Sequence, residues 1–316
     1  MLGPQRDQPR PTVRSMLADS WLLSVEATKV GDTVNPMSHL LWTDRPAGDR
    51  PVMIVAFEGW NDAADAATSA VDYLSEQFHA REFAQIDPEE FYDFTATRPN
   101  VRSLGGLRRT IDWPKNSFSW ATPPDAPGGV ILMRGVEPQL KWRSFCRQIL
   151  QVSAQLDCSM VMTLGSLLAD VAHTRPTPVF GNAYDQAVIE QFNLEQAHYE
   201  GPTGIVGVLH TECVSAQIDS ASLWAAVPAY VPSAPSPKAA LALVRRVSEV
   251  THLTLESEGL MTAADEYEQE ITALVGEDET TIDYVRHLEQ QHDLNAGSIQ
   301  SADDLVEEVE RFLREQ

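Results

Sequence analysis

The fold of this chain is decided by VMIVAFEGWNDAADAATSAVDYLSEQF, residues 52–78. Its first six residues are apolar without alternation, which is the pattern of a strand covered on both faces in a parallel sheet. Asn61 or Asp62 can then cap a helix. That helix would bury one face, made by Ala66, Ala70, Tyr73, Leu74 and Phe78. The stretch therefore predicts a strand, a loop and a helix in succession.

Similar units recur along the rest of the chain. Further buried strands are predicted by largely apolar runs at 130–133, 160–164 (ending at Gly165) and 222–230. Helices are predicted to begin near Pro138, Thr203 and Pro237. Residues 81–122 are interpreted as strands, including one at 91–94, with a hairpin excursion. Strands that alternate with helices predict an α/β fold with a mostly parallel sheet.

The composition is that of an ordinary globular protein with a large excess of acid. Hydrophobic residues make up 43% of the 316, and the formal net charge is −23. Such a surface repels phosphate backbones and anionic lipid head groups, so we expect neither nucleic acid nor a membrane as partner. No apolar run approaches the roughly 18 residues that cross a bilayer. The odd count of cysteines, three, suits a reducing compartment, and we expect the cytoplasm.

The negative charge is concentrated in the C-terminal fifth of the chain. Residues 256–316 hold 18 Asp and Glu against three Arg and no Lys. Helical periodicity persists there, in stripes at Ile271-Leu274-Val275, Ile282-Val285-Leu288 and Leu305-Val309-Phe312. We therefore expect three parts: a flexible lead over 1–36, a core domain over 37–252 and an acidic helical subdomain over 253–316.

Four segments in order resemble the proteasome assembly chaperone two family, in its prokaryotic branch. The segments are FEGWNDA at 57–63, MVMTLG onward at 160–181, GPTGI through His210 at 201–210, and 224–230 followed by SPKAA at 236–240. Together they cover roughly residues 50–250, and the extended acidic C-terminus is similar to that of the actinobacterial members.

The resemblance implies several properties beyond what the residues alone predict. The fold would be a phosphorylase-like three-layer α/β/α sandwich, assembled into homo-oligomers such as trimers. Eukaryotic relatives assist the assembly of proteasome rings, so proteasome subunits, or another protein, are implied as partners. The family has no established catalytic residues.

Polar residues follow two of the predicted strands, at the place where α/β proteins bind ligands. The candidate ligand-binding residues are Glu58, Asn61, Asp62, Gly165, Ser166, Asp170 and His173. Gly59 would also let the backbone approach a ligand closely. The alternative for Asn61 or Asp62 is helix capping. The segment around Ser166 lacks the Gly-x-Ser-x-Gly pattern of a hydrolase, which makes ordinary strand-end structure the favoured interpretation.

Four arginines cluster around Gly105-Gly106 in this otherwise acidic chain. They are Arg98, Arg102, Arg108 and Arg109. The cluster could bind a phosphate, or it could pair with the acidic subdomain of a neighbouring subunit. The alternative is a solvated hairpin loop without a partner.

His210 and Cys213 would share one face of the helix predicted from Thr203, while Glu212 points elsewhere. We expect Cys213 to pack in the core and His210 to be satisfied by hydrogen bonds. No second ligand pair and neither common nucleotide-binding loop occurs in the sequence, so we expect no metal and no cofactor.

Two functions from different classes fit these observations. The first is a non-enzymatic homo-oligomeric scaffold that works through its protein-binding surfaces. The second is a phosphorylase-like enzyme or sensor that holds a nucleoside-like or small anionic ligand at the strand ends. The missing catalytic constellation and the resemblance favour the first.

Overall fold

A computed structural model describes residues 38–103, 109–196 and 200–295. The expected lead over 1–36 lies outside these ranges, and so does the apolar stripe at 305–312. The three-part division of the chain, with its boundary after residue 252, stays a prediction.

The described strands are β1 Leu40–Trp42, β2 Val52–Glu58, β3 Arg81–Ile86, β4 Asn100–Ser103, β5 Arg109–Asp112, β6 Asn116–Ala121, β7 Val130–Val136, β8 Met160–Ala169, β9 Val179–Ala183, β10 Glu195–Gln196 and β11 Ser220–Pro228. The described α-helices are α1 Ala66–Gln77, α2 Trp142–Gln155, α3 Gln186–Phe192, α4 Ile205–Ser215, α5 Pro237–Thr251, α6 Glu258–Val275 and α7 Glu279–Asn295. The strands and helices alternate over most of the chain, as predicted.

The main sheet is mixed, with a parallel centre. Its order is β1-β3-β6-β7-β2-β8-β11-β9-β10. The four central strands β7, β2, β8 and β11 run parallel to one another. Antiparallel strands extend the sheet on both sides, β6 next to β7 and β9 next to β11. The predicted α/β class is therefore confirmed, with parallel pairing among the four central strands and again between β9 and β10 at one edge.

Helices cover both faces of this sheet, which makes three layers. Alternate residues of β2 show the division, because Ile54 and Ala56 join one core while Met53 and Val55 join the other. Helices α1 and α5 close the first core, and α2 and α4 close the second. Burial on both faces is the physical reason why β2 is apolar without alternation.

Two local predictions need correction. Residues 91–94 lie in an irregular segment between two turns instead of a strand, and Phe91 is fully buried in the second core. Strand β8 continues to Ala169 instead of ending at Gly165, because β11 pairs with it along nine residues. A Cβ at Gly165 would lie 2.5 Å from the ring of Trp224, so the glycine makes room for that side chain inside the strand.

The hairpin excursion is confirmed. Strands β4 and β5 pair with each other in a separate two-stranded antiparallel sheet. The excursion begins and ends near Phe94 and Trp113, whose rings pack edge-on with centroids 4.8 Å apart.

The first two helices predicted for the acidic region are present and packed. Leu260 and Ala264 of α6 join the first core beside α5. A third cluster, with Ile271 and Val275 of α6 and Val285 of α7, joins the two acidic helices. None of the described helices has the length and apolarity required to cross a bilayer.

The second core contains a buried imidazole whose hydrogen bonds are satisfied, as predicted for His210. Its ring nitrogens lie 2.9 Å from the hydroxyl of Thr163 and 2.9 Å from that of Ser220. Burial lowers the pKa of His210 to about 4. Burial raises the pKa of the neighbouring Cys213 thiol to about 12, so no thiolate–imidazole pair forms.

We predict that His210 makes the protein sensitive to mild acid. The unfolded chain binds a proton at this histidine below about pH 6.5 and the folded chain does not, so stability is lost as the pH falls from about 6.5 to about 4. The loss reaches about 3 kcal/mol at the lower end. Urea denaturation across this range should give a flatter pH dependence for His210→Gln than for the wild type. The exposed-site control His287→Gln should follow the wild type, and an unchanged slope in His210→Gln would contradict the assignment.

Candidate functional site

The carboxyl end of β2 runs into a loop that is held on several sides. Gly59 has φ +127°, a conformation that favours glycine. The backbone N–H of Ser166 donates to the carbonyl of Asn61 at 2.9 Å, and the hydroxyl of Ser166 donates to the carbonyl of Ala63 at 2.8 Å. Because Ser166 lies inside β8, these bonds fix the loop to the neighbouring strand.

Glu137 fixes the same loop from the other side. This half-buried residue follows the last residue of β7. Its carboxylate accepts the side-chain amide of Asn61 at 3.1 Å, the backbone N–H of Trp60 at 3.4 Å and that of Ile205 at 2.8 Å. Ile205 is the first residue of α4, so one carboxylate joins the β2 loop to a helix N-terminus, where negative charge is favourable.

We call the contact of Glu137 with the β2 loop and the start of α4 the Glu137 junction. Gly204 allows this junction to form. A Cβ at Gly204 would lie 2.5 Å from the Asn61 amide and 2.8 Å from the Glu137 carboxylate. The Gly-Pro-Thr-Gly segment and the Glu-Gly-Trp-Asn-Asp segment, both singled out in the sequence, therefore meet in space. Sequence reasoning missed Glu137, although its place directly after a buried strand and before Pro138 was a usable signal.

Asp62 is a buried helix cap. One carboxylate oxygen accepts the backbone N–H of Ala67 at 2.7 Å and that of Thr68 at 3.2 Å, and the other accepts the hydroxyl of Thr68. Burial is the largest effect on this carboxyl, and it raises the pKa of Asp62. All of these partners belong to the first turn of α1, which is the capping role weighed for this residue.

The loop therefore turns its polar groups inward. The Ser166 hydroxyl is engaged with a carbonyl, and within the described residues no histidine hydrogen-bonds to it. The described part of the chain also contains no group of three His, Cys, Asp or Glu side chains placed to hold a metal ion. A nucleophile with its base is thus not assembled at this strand end.

The outward side of the loop exposes an aromatic ring and charged side chains. The side chain of Trp60 is 47% exposed, although its backbone is held by Glu137. Glu58 lies next to it and is exposed, 3.6 Å from the guanidinium of Arg134, which also binds Asp72 at 3.0 Å. The loop thus presents an indole ring on a fixed backbone, beside a small surface network of charges.

Asp170 and His173 contact a different part of the molecule. Asp170 accepts the hydroxyl of Tyr284 at 2.6 Å. The ring nitrogens of His173 lie 2.7 Å from the hydroxyl of Tyr230 and 3.0 Å from that of Thr272. Both residues thereby hold the acidic helices α6 and α7 against the end of β8.

This attachment is strengthened by two cations. Arg175 forms ion pairs with Glu289 at 3.2 Å and Asp293 at 2.8 Å, and Lys238 pairs with Glu268. Burial, and then the charge of Lys238, lowers the pKa of His173.

The predicted ligand-binding residues therefore lie in two places. Asp170 and His173 contact the acidic helices. The others lie around the β2 loop: Glu58, Asn61, Asp62, Gly165 and Ser166.

The predicted arginine cluster lies on the hairpin. Arg98, Arg102 and Arg109 are exposed, and Arg102 pairs with Asp112 across the two strands. Arg108 lies outside the described residues.

We predict that Glu137 stabilises the fold through its hydrogen bonds more than through its charge. In Glu137→Ala the Ile205 N–H and the Asn61 amide lose their acceptor, which should lower the free energy of unfolding by about 1–3 kcal/mol. Glu137→Gln keeps an acceptor oxygen and should lose less, as measured by urea denaturation. Glu82→Ala, which removes only a surface ion pair with Lys115, should cost less than about 1 kcal/mol. Equal stability of Glu137→Ala and the wild type would refute the role.

Comparison with known proteins places the chain in a family. The model of the PAC2 family matches residues 56–275. No curated protein matches the chain.

Solved structures agree with this match. A proteasome-assembly chaperone homologue of Mycobacterium tuberculosis is 45% identical, with 74% of this chain and 99% of that one covered and a TM-score of 0.68. A PAC2 family protein of Streptomyces avermitilis is 42% identical, with the same coverage of both chains and a TM-score of 0.70. An archaeal proteasome activator of Pyrococcus furiosus shares the fold at 17% identity, with 74% and 97% covered and a TM-score of 0.61. The chain belongs to the PAC2 family, in its actinobacterial branch.

Proposed function

We propose that this protein is a non-enzymatic homo-oligomeric scaffold that binds another protein through the loop presenting Trp60. The observation that carries the proposal is the contrast between the two sides of that loop. Its polar groups are used internally, by Glu137, Ser166 and the start of α1. Its outward side chain is a large aromatic ring, 47% exposed.

Such an arrangement suits binding better than catalysis. Tryptophan is enriched among the residues that dominate the energy of protein interfaces. A ring on a fixed backbone loses little conformational entropy on binding, because the loop is already ordered. A catalyst would instead need polar groups that are free to meet a substrate.

The relatives suggest the class of partner. One similar structure is named as a proteasome-assembly chaperone homologue and another as a proteasome activator. We take a proteasome subunit as the partner to test first, with another protein as the alternative. A cytoplasmic location accords with this partner and with three cysteines that are all free thiols.

A small anionic ligand at the strand ends is the weaker candidate. Its site would lie at the carboxyl ends of parallel strands, the usual place in α/β folds. However, the carboxylate of Glu137 already accepts the first N–H of α4 at 2.8 Å, so an anion would have to displace it. We expect no shift in melting temperature with nucleosides or phosphate, whereas a bound ligand at 100 times its dissociation constant would add about 2.7 kcal/mol.

We predict that Trp60→Ala weakens binding to the partner at least about tenfold, the loss expected when a central interface tryptophan is removed. The measurement is the affinity of the purified protein for purified proteasome subunits from its own organism. Fold and oligomer mass should stay unchanged.

Tyr184→Ala is the matched control. Tyr184 is 52% exposed. It follows β9, which is antiparallel to β11, so it lies near the amino ends of the parallel strands, whereas Trp60 lies at their carboxyl ends. Its removal should leave the affinity unchanged. Equal affinity of Trp60→Ala and the wild type would rule out the loop as the binding surface, and no binding by the wild type would rule out this class of partner.

A further inference from the structure

The hairpin formed by β4 and β5 carries an apolar face that the rest of the described chain leaves exposed. Val101 pairs with Ile111 across the two strands, and they are 63% and 51% exposed. Side chains alternate along a strand, so Arg109 shares the face of Ile111. Arg102 and Asp112 pair on the opposite face. An isolated two-stranded hairpin is marginally stable in water, so this face would gain from a partner.

Helix α6 carries an exposed strip that is acidic and ends in a leucine. Glu266, Glu270 and Leu274 follow one another at intervals of four residues, which places them along one side of the helix. All three are exposed, Leu274 by 54%. Among the described residues, no cation lies within ion-pair distance of Glu266 or Glu270. Two like charges one turn apart repel each other, so a cation bound beside them would be stabilising.

The two surfaces belong to opposite layers of the sandwich. The hairpin arises next to Phe91 and Tyr92, which join the second core. Helix α6 packs through Leu260 and Ala264 on the first core. Contact between the hairpin face and the α6 strip therefore calls for a second molecule.

We propose that the hairpin face of one copy docks on the α6 strip of a second copy. Val101 and Ile111 would cover Leu274, and Arg109 would lie between the carboxylates of Glu266 and Glu270, so that an apolar centre and a complementary charge meet in one contact. The contact is heterologous, because each copy offers a different surface on either side, and it can close into a ring. The proposal rests on the homo-oligomer of the proposed function and names its interface.

A charge exchange tests the contact. Arg109→Glu alone and Glu270→Arg alone should each raise the dissociation constant of the oligomer at least about tenfold, as measured by sedimentation velocity. The double variant Arg109→Glu/Glu270→Arg should restore the wild-type mass. High salt should weaken the wild-type assembly, since the charges are exposed.

Two controls carry the same charge changes at other places. Arg143→Glu alters an exposed arginine on α2, and Asp265→Lys alters an exposed acid on α6 that lies about 140° around the helix from Glu270. Both should keep the wild-type mass, and circular dichroism should show all variants folded.

The proposal fails if the wild type is a monomer, if the two single variants keep the wild-type mass, or if the double variant stays dissociated. A monomeric wild type would also contradict the homo-oligomer of the proposed function, whereas the other two outcomes would overturn this interface alone. Unchanged partner affinity in Trp60→Ala, with the oligomer intact, would overturn the binding surface of the proposed function alone, so the two failures can be told apart.

Discussion

The structure at the carboxyl ends of the parallel strands depends on one carboxylate. Glu137 accepts hydrogen bonds from Trp60, Asn61 and Ile205, and so it ties the end of β7 to the loop after β2 and to the start of α4. The bond to Ile205 spans 68 residues of sequence. One acceptor that meets three donors in a partly buried place ties the loop to both of its neighbours, and each donor would lose its partner if the acceptor were removed.

The same hydrogen bonds engage the polar groups of the loop within the fold. Asn61, Asp62 and Ser166 lie where an α/β enzyme would place its chemistry, yet each has its polar atoms bound within the fold. What remains outside is the ring of Trp60. The charge of the chain is also segregated, with arginines on the hairpin and acids on α6 and α7. Both features support the proposal that the protein functions through its surfaces.

Much of the fold could be predicted from local sequence, because burial on both faces leaves a direct mark. The apolar run of β2 has no alternation, and Asp62, whose carboxylate accepts from Ala67 and Thr68, lies only four residues before the first residue of α1. The turn at Phe91 could not be predicted, since its burial depends on packing in the second core. Glu137 was missed because its role appears only when Gly204 approaches from a distant part of the chain. The contact of His173 with Thr272 could not be predicted, because the two residues lie 99 positions apart.

The central claim is that the Glu137 junction holds the Trp60 loop rigid before any partner binds. Hydrogen exchange of the backbone amides at Asp62, Ala67 and Ile205 in the free protein tests it most directly, because each of these amides is bonded within the junction or its cap. The account predicts slow exchange in the wild type and much faster exchange at Ile205 in Glu137→Ala. Exchange in the wild type as fast as at the exposed hairpin residues would contradict it.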